Sequence, residues 1–310
     1  MGGYQYLFGP VPSRRLGASL GVSPIPERTC NYSCVYCQLG RTLRMTNTRQ
    51  EFFPLEEILA EFREYLQGSI PFDVVTVVGE GEPTLYSRLG ELIAGLKKET
   101  DKPVAVITNG ALLYDAEMRR ELMEADIVLP SLDAVTEEQY RKIDRPMGSI
   151  GFAEMAEGLR QFAKEYQGQL WIEIMLVDGM NDSPEDIAAF KEFLGTIDYD
   201  RVYLNTPVRP PAEGFVHTSA PERIDLAARE LGGISIDQLT SGSFFSEVED
   251  PYEAILSIAR RHPMNQFEVE SFLEARKIPA DQRQVLMERL EQDPGITVVP
   301  YKGIITYRVN

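Results

Sequence analysis

The chain has 310 residues with a formal net charge of −17, and 43% of its residues are hydrophobic. These figures exclude a disordered chain and predict one large domain with a small appendage. The acidic balance disfavours nonspecific nucleic-acid binding, and no apolar run approaches the roughly 20 residues of a membrane helix. Because the first residues lack a hydrophobic signal core, we expect a cytoplasmic protein.

The chain begins with a segment that concentrates both positive charge and thiols. Residues 1–50 contain six arginines and one acidic residue, a net charge of +5, so the other 260 residues carry −22. The three cysteines of the chain, Cys30, Cys34 and Cys37, fall within eight residues of this segment. Near the start of this segment, Tyr4, Tyr6 and Phe8 alternate with other residues and predict an N-terminal strand.

Apolar β-rich runs then alternate with amphipathic runs as far as residue 206. The predicted strands span 18–25, 73–79, 104–109, 127–132, 170–177 and 201–206. The predicted helices span 55–67, 86–100, 115–125, 136–143, 152–166 and 184–194, and Asp115, Thr136 and Ser183 are predicted N-caps. Six β/α repeats predict an α/β fold with a parallel sheet, arranged as a partial (βα)6 TIM-like barrel. A doubly wound sheet is the alternative, although its glycine-rich phosphate turn after strand one is absent.

The pattern changes after residue 207. A helix is predicted over 221–231 and a polar linker over 241–250. Helices over 252–261, 266–277 and 281–292 and a hairpin of strands 296–300 and 304–309 follow, which predicts a winged-helix-like module. We therefore expect a barrel domain with its N-terminal extension over 1–215, a helical connector over 216–250 and the module over 251–310. The third helix of the module together with Asp293 has a net charge of −2, which does not favour nucleic acid as a partner.

The cysteine spacing C-x3-C-x2-C lets three thiolates reach one metal centre. Cysteine thiolates hold iron–sulfur clusters, and three ligands leave one iron of a four-iron cluster open for catalysis. A zinc site would need a fourth ligand, and His217 and His262 are remote in sequence. Three small buried cysteines without a metal are the remaining alternative.

The same motif, with Tyr36 just before the third cysteine, resembles the radical S-adenosylmethionine (radical SAM) superfamily over about residues 15–210. The second predicted strand ends in Gly79-Glu80-Gly81-Glu82-Pro83, which is similar to the Gly-Gly-Glu-Pro turn of that family except for Glu80. The third and fourth predicted strands end in Thr108-Asn109-Gly110 and Ser131-Leu132-Asp133, which are also similar.

The resemblance implies that Cys30, Cys34 and Cys37 bind three irons of a 4Fe–4S cluster and that the fourth iron binds SAM. An electron from a donor such as flavodoxin or ferredoxin would cleave SAM to methionine and a 5′-deoxyadenosyl radical, which would abstract hydrogen from a substrate. The resemblance implies SAM contacts for ten residues at the strand ends, namely Tyr36, Gly79, Gly81, Glu82, Pro83, Thr108, Asn109, Ser131, Asp133 and Asn205.

Four arginines are candidate substrate ligands, because a guanidinium binds carboxylate or phosphate through paired hydrogen bonds. They are Arg14, Arg15, Arg41 and Arg145. Residues 4–42 are also similar to the relatives of the wyosine-synthesising tRNA enzymes, but those enzymes carry a second cluster for which this chain has no cysteines. The expected function is radical SAM chemistry on an anionic small molecule. The alternatives are modification of RNA, activation of a partner protein, and a non-catalytic iron–sulfur carrier.

Overall fold

The computed structural model describes residues 4–236, 244–246, 248–301 and 303–310. Its strands are β1 Leu7–Ser13, β2 Gly17–Val22, β3 Thr29–Cys30, β4 Arg44–Met45, β5 Val74–Val77, β6 Val104–Thr108, β7 Ile127–Pro130, β8 Gln169–Met175, β9 Arg201–Asn205, β10 Ile234–Ser235, β11 Met264–Asn265, β12 Ile296–Tyr301 and β13 Ile304–Val309. Its α-helices are α1 Leu55–Tyr65, α2 Leu89–Glu99, α3 Ala116–Leu122, α4 Glu137–Ile143, α5 Phe152–Glu165, α6 Pro184–Leu194, α7 Pro221–Leu231, α8 Pro251–Ala259, α9 Gln266–Ala275 and α10 Ala280–Gln292.

The main sheet contains eight strands in the order β1-β2-β5-β6-β7-β8-β9-β10. β1 and β2 are antiparallel, and each neighbouring pair from β2 to β10 is parallel. The six predicted strands are β2 and β5 to β9, in consecutive positions with α1 to α6 between them. This order confirms the partial α/β barrel. The doubly wound alternative is wrong, because such a sheet reverses its strand order part-way.

The three predicted N-cap residues, Asp115, Thr136 and Ser183, all form side-chain caps. The Ser183 hydroxyl and the Asp186 carboxylate form a capping box at the start of α6. Asp115 accepts the Glu117 N–H at 2.8 Å. Each cap satisfies a first-turn N–H group that has no partner within its own helix.

The two edge strands of the main sheet, β1 and β10, were not fully predicted from the sequence. The predicted N-terminal strand is present as β1, but it spans Leu7–Ser13, so Phe8 lies in the strand whereas Tyr4 and Tyr6 precede it. The Phe8 ring packs directly on the Gly21 backbone, where a Cβ atom would lie 2.1 Å from its Cζ, so only glycine fits there. At the other edge, the two-residue β10 pairs with β9.

The two largest apolar clusters of the described residues form the main cores of the protein. The larger one lies between the parallel strands and their covering helices and includes Phe62, Leu92 and Phe162. The second joins α8, α9 and α10 to a three-stranded sheet of order β11-β13-β12, with Phe272 and Tyr307 at its centre. None of the helices in the described ranges is both long and apolar enough to cross a bilayer.

The C-terminal elements follow the order helix, strand, helix, helix, strand, strand. The three predicted helices and the hairpin are confirmed, as is the helix predicted over 221–231, and β11 is an addition. The likeness to a winged helix and the three domain boundaries stay predictions. Residues 241–243 and 247 of the predicted linker lie outside the described residues, as does residue 302 of the hairpin turn.

Candidate active site at the cysteine loop

The three cysteines share one cavity at the carboxyl ends of the parallel strands. The cavity has a volume of about 430 Å³, and its lining includes Cys30, Cys34 and Cys37 together with Gly79 and Asn205. Gly79 follows β5 and Asn205 ends β9, so the cavity occupies the edge where parallel barrels place their functional loops. All three thiols are free of disulfide bonds.

Backbone hydrogen bonds hold the cysteine loop from two sides. The Ser33 N–H donates to the Asp144 carbonyl at 3.0 Å and the Val35 N–H to the Ile143 carbonyl at 2.9 Å, which ties the loop to the end of α4. On the other side, β4 pairs in parallel with β3, and the Thr46 N–H donates to the Cys30 carbonyl at 3.0 Å. The loop is therefore fixed without help from its thiols.

Polar groups surround the thiols themselves. The Asn109 amide nitrogen lies 3.7 Å from the Cys30 sulfur, and the Cys34 sulfur lies 3.8 Å from the Asp144 carboxylate. Burial raises the pKa of all three thiols. Because the thiolate is the metal ligand, iron binding has to release thiol protons.

The donor set fits an iron–sulfur cluster better than a single ion. Within the described ranges, no three His, Cys, Asp or Glu side chains converge on a point that one metal ion could occupy. A four-iron cluster binds each thiolate at a different corner, so it requires three free thiols around one space rather than convergence. Cys30, Cys34 and Cys37 meet that requirement, because all three line the same cavity.

The turn after β5 approaches the cysteine strand closely enough to require glycine. A Cβ atom on Gly81 would lie 1.7 Å from the Thr29 carbonyl oxygen, and one on Gly79 would lie 2.5 Å from the Ser23 hydroxyl. Both glycines line the cavity. Their backbone can therefore contact a ligand that a side chain would keep out.

Glu82 is a buried junction between this turn and the end of β6. Its carboxylate accepts hydrogen bonds from the Thr84 N–H and hydroxyl at 3.0 and 2.6 Å, from the Thr108 hydroxyl at 2.6 Å and from the Asn109 N–H at 2.8 Å. Burial raises the pKa of Glu82, and these donors oppose the shift. Glu82 and Thr108 thus bind each other behind the cavity, and Pro83 begins a short 3₁₀ helix there.

Glu80, the departure from the Gly-Gly pattern, has a partner in the C-terminal helices. Its carboxylate lies 3.4 Å from Nε of Arg261, and both side chains line the cavity. Arg261 also donates to the Gln5 carbonyl at 2.6 Å and lies over the Phe8 ring. The glutamate therefore connects the barrel turn to the residues after α8.

Tyr36 and Asp133 form a second connection close to the cysteines. The Tyr36 hydroxyl donates to the Asp133 carboxylate, whose other oxygen accepts the Met175 N–H at 2.7 Å. Burial raises the pKa of Asp133 to about 6, and the two hydrogen bonds oppose that shift. Asp133 is almost fully buried, so it holds the Tyr36 ring at the cavity wall.

The inner wall of the cavity carries a polar network. Arg15 is ion-paired with Glu173, whose other oxygen accepts from the Asn205 amide at 3.2 Å. Burial lowers the pKa of Arg15 to about 10. Ser131 lies beside this network, bridged to Glu173 through the backbone, and Arg14 lines the cavity. Arg15 therefore carries its positive charge into the barrel together with a countercharge.

Arg41 and Arg145 meet at one carboxylate on the outer side of the cysteine loop. Arg41 binds Glu213 through two hydrogen bonds of 2.9 and 2.8 Å, and Arg145 binds it at 2.6 Å. These donors lower the pKa of Glu213. The Glu213 N–H donates to the Val35 carbonyl at 3.1 Å, which attaches the loop after β9 to the cysteine loop.

The C-terminal helices contribute a wall that sequence reasoning missed. Arg209 binds both oxygens of Glu268 at 3.0 and 2.8 Å, and its Nη2 lies 2.7 Å from Nε2 of His262. Burial, followed by the neighbouring Arg209, lowers the pKa of His262 well below its usual value, so the ring is neutral. All three residues line the cavity that the cysteines share.

The structure brings about half of the predicted site residues to the cavity. Those that line it are Arg14, Arg15, Cys30, Cys34, Tyr36, Cys37, Gly79, Gly81 and Asn205. The others lie outside the described lining, namely Arg41, Glu82, Pro83, Thr108, Asn109, Ser131, Asp133 and Arg145. The binding roles of all these residues, inside and outside the lining, stay predictions. Lining residues that the sequence did not assign include Glu173, Arg261, His262 and Glu268, and no local motif marks them.

Comparisons with known proteins agree with this geometry. The family model described as "Radical SAM superfamily" matches residues 25–191, more than half of the chain. The chain belongs to the radical SAM superfamily. The cofactors of this radical SAM protein are a 4Fe–4S cluster and SAM, and enzymes of the superfamily generally need an electron donor.

This radical SAM protein is similar to several others along different parts of its length. It is 32% identical over 314 residues to a UPF0026 protein of Methanocaldococcus jannaschii, covering 98% of this chain and 95% of that one. It is 43% identical over 203 residues to a Brachyspira hyodysenteriae protein named GTPase Obg, covering 66% of this chain and only 30% of that one. A radical SAM methyltransferase structure from Sphaerobacter thermophilus matches with a TM-score of 0.52 at 18% identity, covering 71% of this chain and 67% of that one, which shows the shared fold.

Proposed function

We propose that this protein is a radical SAM enzyme that acts on a small anionic molecule bound between the barrel and the C-terminal helices. Cys30, Cys34 and Cys37 would hold the cluster. When bound, the cluster and SAM supply a 5′-deoxyadenosyl radical that can abstract hydrogen from a substrate. The protein's own residues position the reactants and keep water away from them.

The shared cavity is the observation that carries this proposal. The cysteines form one side of it, and Phe244, Arg261 and His262 form another. A volume of about 430 Å³ lies toward the lower end of the range for small-ligand pockets, and SAM has to share it. The enclosure therefore favours a small substrate over a folded RNA or a partner protein.

The charges on the cavity wall support an anionic substrate. The lining contains five arginines (Arg14, Arg15, Arg28, Arg209 and Arg261) and three glutamates (Glu80, Glu173 and Glu268). Three of the arginines pair with the three lining glutamates, and Arg28 pairs with Glu27 outside the lining, so the wall itself combines fixed ion pairs with more arginines than glutamates. Such a wall attracts an anion while its ion pairs hold the donors in place.

Individual residues have separable tasks in this scheme. Gly79 and Gly81 expose backbone groups to a ligand because they have no Cβ. Tyr36, held by Asp133, presents a fixed ring beside Cys37. Asn205 and Glu173 offer an amide and a carboxylate at the inner wall, where a hydroxyl or an ammonium group can be bound.

Anaerobic reconstitution tests the proposed chemistry. The wild-type protein should bind about four irons and, when reduced with dithionite, release 5′-deoxyadenosine from SAM. Cys34→Ala should lose both properties, and Ser33→Ala, a neighbouring change outside the cavity lining, should keep them. SAM cleavage by iron-free protein would overturn the proposal.

Substrate class is tested with the same reduced protein. A pool of small anionic metabolites should stimulate 5′-deoxyadenosine release. One metabolite of the pool, the substrate, should be consumed during the reaction. Stimulation by tRNA or by a co-purifying protein, with no effect of the small molecules, would instead establish RNA modification or protein activation.

A further inference from the structure

The outer side of the cysteine loop exposes an unusual group of apolar side chains. Nine large hydrophobic residues are exposed in the described part of the chain, and three of them lie here. Leu43 is 67% exposed, Met45 is 40% exposed and Phe215 is 55% exposed. Leu43 and Met45 follow the third cysteine within eight residues, while Phe215 comes from the loop after β9.

Three arginines are neighbours of these apolar residues, in the chain or in space. Arg41 and Arg44 alternate with them along the chain, and Arg145 lies over the Phe215 ring with its guanidinium carbon 5.9 Å from the ring centre. Glu213 joins the two parts of the surface, because it binds both Arg41 and Arg145. We call Arg41, Leu43, Arg44, Met45, Arg145 and Phe215 the basic apolar patch.

The basic apolar patch is one backbone segment away from the cysteines. Met45 is the register partner of Cys30 in the β3–β4 pair, and Arg44 is the partner of Thr29. The Gly40 N–H donates to the Cys37 carbonyl at 3.1 Å just before the patch begins. An electron that enters through this surface would therefore cross little protein before it reaches the cysteines.

The charge of the patch differs from that of the rest of the molecule. The three arginines of the patch and Glu213, which binds two of them, sum to +2, whereas the whole chain carries −17. An acidic protein is repelled by most of this surface and attracted to the patch, which steers the encounter toward it. Three arginines are too few to bind a long phosphate backbone, and the exposed apolar side chains are typical of the centre of a protein–protein interface.

We propose that the basic apolar patch is the docking surface for an acidic one-electron donor protein. The reduced donor loses one electron and is oxidised, and the cluster gains that electron and is reduced, with no atom transferred. This inference rests on the proposed function, because it requires a cluster at Cys30, Cys34 and Cys37.

Binding of oxidised flavodoxin, an acidic flavoprotein, to the cluster-loaded protein tests the docking surface. Arg44→Glu should weaken binding about tenfold at low ionic strength, and the difference should shrink as salt screens the charges. Leu43→Ser should weaken it about threefold at any salt concentration, because it removes apolar contact without changing charge. Arg120→Glu, the same charge reversal on an exposed arginine of α3, should leave the affinity unchanged.

Stopped-flow reduction of the cluster separates this inference from the proposed function. Reduced flavodoxin should reduce the Arg44→Glu cluster about tenfold more slowly than the wild-type cluster, while dithionite should reduce both at the same rate. Two results would overturn the proposed docking surface while dithionite still supports SAM cleavage: flavodoxin does not bind, or it binds the Arg44→Glu protein as tightly as wild type. Displacement of flavodoxin from the patch by tRNA would also overturn it. Failure of SAM cleavage with dithionite would count against the proposed function instead.

Discussion

Glu80 and Arg261 form an ion pair across the cavity, with a distance of 3.4 Å between Oε2 and Nε. The two side chains are only 11% and 8% exposed. Glu80 belongs to the turn after β5, and Arg261 follows α8, so this contact joins the barrel to the C-terminal helices. A glutamate at this position of the turn is thereby explained, since it supplies the countercharge for a nearly buried guanidinium.

Glu80→Gln should destabilise the protein by about 2–3 kcal/mol, because it leaves Arg261 largely buried without its countercharge. Urea denaturation monitored by circular dichroism measures the free energy of unfolding. Glu222→Gln removes an exposed charge in the first turn of α7 and should change that value by less than about 0.5 kcal/mol. Equal effects of the two substitutions would show that the ion pair contributes nothing.

Gly81→Ala should disrupt the turn after β5, because its methyl group would lie 1.7 Å from the Thr29 carbonyl oxygen. Overpacking of this kind costs about 1–3 kcal/mol, and here the displaced strand carries Cys30. We therefore expect a lower melting temperature and a lower iron content after reconstitution. Gly148→Ala is the matched control, since nothing lies within 4 Å of its added methyl group. Full iron loading of the Gly81→Ala protein would contradict the expected displacement.

Tyr36→Phe should weaken SAM binding about tenfold while iron content stays the same, since the ring loses the hydrogen bond that holds it. The change also leaves the buried Asp133 carboxylate with one donor fewer, which raises its pKa further above about 6. Equilibrium dialysis with labelled SAM measures the affinity. Tyr199→Phe removes a hydroxyl from an exposed tyrosine and should have no effect. Loss of iron in the Tyr36→Phe protein would show that the tyrosine supports the loop itself.

The contribution of Glu213 to stability should depend on pH. Hydrogen bonds from Arg41 and Arg145 lower its pKa in the folded state below the ordinary value of 4.5. The folded state thus favours the ionised form, so the stabilisation is complete at pH values above 4.5 and is lost as the pH falls through the lowered pKa. The wild-type protein should exceed Glu213→Gln in urea midpoint at neutral pH, and the two should converge in acid. A constant difference at all pH values would exclude the ion pairs as its cause.

The fold was predictable because its signals are local. Strand periodicity, helix periodicity and capping residues such as Ser183 act within a few positions, and each predicted strand and helix of the barrel is present. The cysteines were predictable for the same reason, since Cys30, Cys34 and Cys37 are neighbours in the chain.

The cavity wall was not predictable, because its contacts join residues far apart in sequence. Arg209 contacts Glu268, although the connector separates them in sequence. Glu80 contacts Arg261, although most of the barrel lies between them in sequence. Composition suggested that Arg15 was available for a substrate, but the fold buries it against Glu173. The charge of a sequence segment shows that arginines are present, but it does not show which carboxylates they pair with in the fold.

The four hydrogen bonds at Glu82 make two loops into one cooperative unit. Glu82 is 3% exposed, and its carboxylate accepts hydrogen bonds from both the turn after β5 and the end of β6. If either loop opened alone, a buried charge would lose half of its donors, so the two loops should open together. In native-state hydrogen exchange the amides of Thr84 and Asn109, which share this acceptor, should therefore exchange at similar rates although they belong to different loops.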